Sequence, residues 1–100
     1  MSQILLKDLI KSSNAITASK GRILHDELKK RLLEREHIVL NFEGIETSTT
    51  RFFHISIGEL YREFDEKIVD QDIEIIDVNE VISQQIEAAK HVSKLYFSTR

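Results

Sequence analysis

One hundred residues, 41% apolar and 31% charged, are the composition of one globular domain, too short to divide in two and too small to enclose a deep cofactor pocket. The formal charge of −3 argues against a nucleic-acid partner, whose phosphates favour a concentrated basic face, and the absence of cysteine excludes disulfides, thiol nucleophiles and thiolate metal sites. Apolar runs such as Ile38-Val39-Leu40 fall far short of the roughly 18–20 residues that cross a bilayer, and Asp8 interrupts an N-terminal stretch already too short for a signal peptide, so a cytoplasmic protein without membrane contact is expected.

The chain has no proline and three isolated glycines, so no linker or repeat divides residues 1–100. Gln3 to Ile10 carries a short apolar run that fits an edge strand, and Lys11 to Thr17 reads as a loop. From Ser19 to Glu36, Leu24, Leu28 and Leu32 recur every four positions, which predicts a helix with one buried stripe. The basic stretch Lys29-Lys30-Arg31 is interleaved with acids on that helix and reads as a solvated face. Ile38 to Phe42, apolar at successive positions, fits a central parallel strand covered by helices on both sides. Glu43 to Glu46 turns the chain.

A longer helix is predicted from Thr50 to Lys67, with Phe53, Ile57, Leu60, Tyr61, Phe64 and Ile68 on one face. Ile73 to Val78 reads as a strand, and Asn79 is placed to cap a last helix whose stripe is Ile82, Ile86, Ala89, Val92 or Ser93, and Tyr96. The order β-α-β-α-β-α implies an α/β fold, a small mainly parallel sheet with alternating helices. Sites on such sheets gather at the carboxyl ends of the strands, here the loops after Phe42 and Val78.

Few constellations carry chemistry. His25, His37, His54 and His91 are scattered without metal-ligand spacing and read as surface or boundary side chains, so neither a metal nor another cofactor is expected. Gly21, Gly44 and Gly58 are too far apart to form a phosphate-binding loop. Asn41 stands where a receiver-type site would need a phosphorylatable aspartate. The hydroxyl run Thr47-Ser48-Thr49-Thr50, at the start of the long helix, has two readings: helix capping, or regulation by phosphate added at an exposed helix start.

The stretch Ile38 to Leu60, IVLNFEGIETSTTRFFHISIGEL, resembles the strand, turn and helix of STAS-like domains, relatives of the anti-sigma factor antagonists. Asn41-Phe42 stands at that family's acidic-apolar pair, Gly44-Ile45 at its turn, Thr49-Thr50-Arg51-Phe52 at its serine-rich helix start and Ile57-Gly58-Glu59-Leu60 in the helix that follows. The resemblance implies a STAS-like fold and a phosphoacceptor hydroxyl, carried over to Thr49 and Thr50, modified by a partner kinase of the GHKL ATPase type. Two departures stand against the switch: Asn41 replaces the aspartate, and Arg51 falls at or beside the acceptor position.

Three functions compete. The first is a non-catalytic regulatory module that binds a protein partner through Gly44, Ser48, Arg51, His54, an exposed Ile55 and Glu59. The second is a small enzyme with His54 as general base and Thr50 as nucleophile, which share a helix face but lack a third group to orient the histidine. The third is a self-associating subunit, in which the last helix, with Leu95, Tyr96 and Phe97, or the edge strand pairs with a second copy as a homodimer.

Overall fold

A computed structural model describes residues 2–98. In chain order the elements are β1 (Ser2–Leu5), α1 (Leu6–Ile10), β2 (Asn14–Ala15), α2 (Ala18–Leu33), β3 (Ile38–Asn41), β4 (Thr47–Ser48), α3 (Thr50–Phe53), a π-helical segment (His54–Gly58), α4 (Leu60–Glu63), α5 (Glu66–Asp72), β5 (Ile73–Ile76) and α6 (Glu80–Phe97). The main sheet is parallel in the order β1-β3-β5, with Ile4 opposite Leu40 and Leu40 opposite Ile75. A second, two-residue parallel pair joins β2 to β4. This is the mixed α/β architecture of alternating strands and helices that the sequence implies.

Side chains alternate across a strand, so Ile4, Ile38, Leu40, Ile73 and Ile75 share one face while Gln3, Leu5, Val39, Asn41, Glu74 and Ile76 share the other. The first set packs into the core with Leu24, Leu28, Phe52, Phe53, Ile57, Leu60, Ile82 and Ile86; none of the second set joins that core. The helices therefore lie on one face, as consecutive right-handed crossovers running in the same direction across the sheet require. This corrects the expectation of helices on both sides of the central strand. Val39, on the other face, is buried as well and is flanked by Gln3 and Glu74 on the neighbouring strands.

The edge strand expected within Gln3 to Ile10 is β1, and it ends at Leu5. Leu6 and Ile10 are both buried, four residues apart, and that spacing turns the chain into α1. Lys11, in the left-handed conformation at φ 55°, ends the helix.

The single helix expected over residues 50–67 is broken twice. Within it, the Ser56 hydroxyl donates to the Phe52 carbonyl at 2.9 Å, and the His54 carbonyl accepts from the Glu59 N–H five residues on, at 3.0 Å. Phe64 is then extended, and the Asp65 carboxylate accepts from Lys67 N at 2.9 Å to start α5. The break moves Ile68 off the predicted stripe to 40% exposure and buries Val69 instead. Gly58 lies so close to α6 that a β-carbon there would sit 2.3 Å from Ser93 Oγ.

In α6 the Asn79 side chain caps the helix as expected, accepting from Ile82 N at 2.8 Å. Ile82, Ile86, Ala89 and Ser93 form the buried stripe. Of the two alternatives the stripe takes Ser93, leaving Val92 outside it about 100° round the helix, and Tyr96 points outward because two heptads from Ile82 drift by about 40° on a straight helix. Phe97 makes the contact assigned to Tyr96.

Candidate functional site

The loop after β3 is held from both ends. Asn41 is buried, and its side-chain oxygen accepts from Glu43 N at 2.7 Å, an Asx turn at the end of the central strand. Gly44 follows at φ +84°, where a side chain would be strained and a β-carbon would lie 2.8 Å from Lys7 Cδ. Ile45 is buried and pins the loop to the core, its N–H bonded to the Phe42 carbonyl at 3.0 Å. Glu46 N donates to the Ser13 carbonyl at 2.7 Å.

The hydroxyl run is largely spent on holding this loop. Thr47 Oγ1 donates to Asn14 Oδ1 at 2.6 Å, Ser48 Oγ donates to Gln85 Oε1 of α6, and Gln85 Nε2 returns a bond to the Ser48 carbonyl at 3.3 Å. Thr49 Oγ1 accepts from Phe52 N at 3.1 Å as the cap of α3. Thr50 is half-buried, and among the described residues its hydroxyl makes no side-chain hydrogen bond.

Of the residues singled out from sequence, Gly44 and Arg51 are exposed, while Ser48, Thr49, Thr50, His54 and Glu59 are half-buried. Ile55, expected to be exposed, is half-buried because it packs over Gly21 of α2. Glu59 pairs with Arg62 at 3.8 Å. Thr50 and His54 stand one helical turn apart with no hydrogen bond between them among the described residues.

The structure adds an element that the sequence reading omitted. The loop and the start of α6 enclose an open groove of about 300 Å³, lined by Glu46, Thr47, Ser48, Asn79, Val81, Ile82 and Gln85. Its position was legible, since the loops after Phe42 and Val78 meet at the carboxyl ends of β3 and β5. Its α6 wall was not, since neither the cap nor the core stripe marks Gln85.

Among the histidines, His25 is buried rather than at the surface, its Nδ1 3.1 Å from the Ser56 carbonyl and its Nε2 3.4 Å from Glu63. Lys29 donates to Glu63 at 2.7 Å, and that bond holds the Glu63 carboxyl below its usual range. At the opposite end of the sheet, a second groove of about 330 Å³ includes Tyr61, Phe64, Lys94 and Phe97. There the Tyr61 hydroxyl donates to Asp70 at 2.5 Å, and burial together with that carboxylate pushes the phenol far up.

Among the described residues no group of three or more His, Cys, Asp or Glu could hold a metal ion, and no helix is long and apolar enough to cross a membrane. A family model described as a STAS-like domain of unknown function matches residues 20–83, from the first turn of α2 to the first turn of α6. No curated protein and no solved structure matches the chain.

Proposed function

Because the chain belongs to this family of STAS-like domains, we propose that it is a non-catalytic regulatory module whose protein partner docks on the loop of residues 43–50 and the outer strip of the helix that follows. The observation that carries the reading is the bracing of an exposed loop. Four side chains, Asn14, Asn41, Thr49 and Gln85, bond a segment whose only core anchor is Ile45. A surface fixed in advance loses little entropy on docking, which is what a recognition loop needs. Arg51 stands exposed beside it with a planar, five-donor group suited to a partner's carboxylate.

The groove is open and partly polar, a shape that supports docking of a surface over enclosure of a substrate. The resemblance to anti-sigma factor antagonists makes a GHKL-type ATPase or kinase the partner class to test. Within that reading Thr50 is the better phosphate acceptor, since the Thr49 oxygen already caps α3.

The test is recovery of the tagged protein from its own cells, identification of what co-purifies, and titration calorimetry with the purified partner. Arg51→Glu and Glu59→Lys should each weaken binding at least tenfold, about 1.4 kcal/mol, with the fold intact by circular dichroism. Undiminished binding by both variants would move the interface elsewhere. Mass spectrometry of the recovered chain distinguishes phosphate on Thr50 from none.

A further inference from the structure

We infer that α6 carries a second, outward stripe built to pair with α6 of another copy of this chain, antiparallel about a two-fold axis at Ala88. The buried stripe of α6 is Ile82, Ile86, Ala89 and Ser93. Val81, Ala88, Val92 and Leu95 form another: at about 100° per residue they fall within about 60° of one another and well away from the buried four. Val81 is 64% exposed, Val92 51% and Leu95 59%, and Ala88 is exposed with them.

Spacing identifies the occupant as a helix. From Val81 to Ala88, Val92 and Leu95 the steps are seven, four and three residues, the heptad pattern that another helix fits, while Gln85 between them is turned to Ser48. Symmetry identifies it as the same helix. In an antiparallel pair crossing at Ala88, Val81 of one copy meets Leu95 of the other, twice, Val92 meets the uncharged Gln84, and the smallest side chain falls on the axis, where the backbones approach closest.

Charge permits the pairing. The chain is 31% charged, yet this stripe and its neighbours Gln84, Gln85 and His91 contain no Asp, Glu, Lys or Arg. On the opposite flank Lys94 pairs with Asp70 at 2.8 Å, and Lys90 reaches both Asp70 at 3.5 Å and Glu87 at 4.0 Å. Two copies can therefore meet without bringing like charges together. The stripe exposes a few hundred Å² of apolar surface, on the order of the largest patch that a typical monomer leaves open. Doubled by the axis and completed by flanking side chains, it makes an interface at the low end of the range, below about 1,200 Å², as a weak dimer has.

The chain has no cysteine, so single introduced thiols report the geometry cleanly. Ala88→Cys should form a disulfide-linked dimer under mild oxidation. Val81→Cys alone should not, because its two copies lie about 21 Å apart along the axis, whereas mixing Val81→Cys with Leu95→Cys should give the mixed dimer. Sedimentation equilibrium of the wild type should show a concentration-dependent dimer, weakened at least tenfold by Ala88→Glu with an unchanged helical spectrum. Cross-linking by all three single variants would mean a parallel pair and overturn the proposal. So would a wild type that stays monomeric at millimolar concentration.

Discussion

Thr49 and Thr50 are neighbours with the same hydroxyl, and only the first has its oxygen within 3.1 Å of a free N–H of α3. Removing a threonine cap leaves a helix N–H without an acceptor and costs about 1 kcal/mol, so Thr49→Ala should lower the unfolding free energy by that amount in urea titration. Thr50→Ala removes no such bond and should change stability by less than about 0.5 kcal/mol. The pair therefore separates structure from regulation: a loss of partner binding in Thr50→Ala without a loss of stability would place the hydroxyl in recognition. An equal stability loss in both would mean that the helix starts elsewhere. The sequence marked both hydroxyls and could not rank them, because Ser, Thr and the turn before them permit a cap at either position.

At the scale of the element, the helix between α2 and α6 turns on Gly58. Alanine is the better helix former by about 1 kcal/mol, yet its β-carbon would meet Ser93 Oγ at 2.3 Å between two buried surfaces. Overpacking of this kind costs about 1–3 kcal/mol, so Gly58→Ala should destabilise the chain despite the propensity gain. Ser93→Ala removes the clashing oxygen while leaving its β-carbon at an ordinary 3.4 Å. In that background Gly58→Ala should be neutral or stabilising, and a double-mutant cycle with no coupling would show that the two helices sit further apart. The same residues explain why this element was misread. Phe53, Ile57, Leu60 and Tyr61 hold helical spacing and are buried as expected, but the stripe cannot report a π-type bond at His54 or an extended Phe64. Asp65, a good cap in mid-helix, was the available sign of the break. Asn79 carried the same chemistry where a boundary was already expected, and there the reading and the structure agree.

Over the whole molecule, the one-sided helical layer makes the ties between its last helix and its body important, and the charged one is Asp70. Burial raises the carboxyl's pKa, but hydrogen bonds from Lys94 and Tyr61 and the charge of Lys90 outweigh it, so the group is held below its usual value of 3.8. A carboxylate with a lowered folded pKa contributes stability that is fully present above the unfolded value and is lost as pH falls through the folded one. The contribution should therefore be complete at pH 6–7, begin to fade near about pH 4 and disappear below the folded pKa. Asp70→Asn removes the charge at every pH. At neutral pH it should cost about 1.5–3 kcal/mol, the worth of hydrogen bonds to a charged group, and the gap to wild type should close as acid protonates Asp70 itself. Urea titrations of both proteins between pH 7 and pH 2.5 check this. A gap that stays constant with pH would mean that Tyr61 and Lys94 are held by packing and that the carboxylate's charge adds nothing to the closure of α6 on the core.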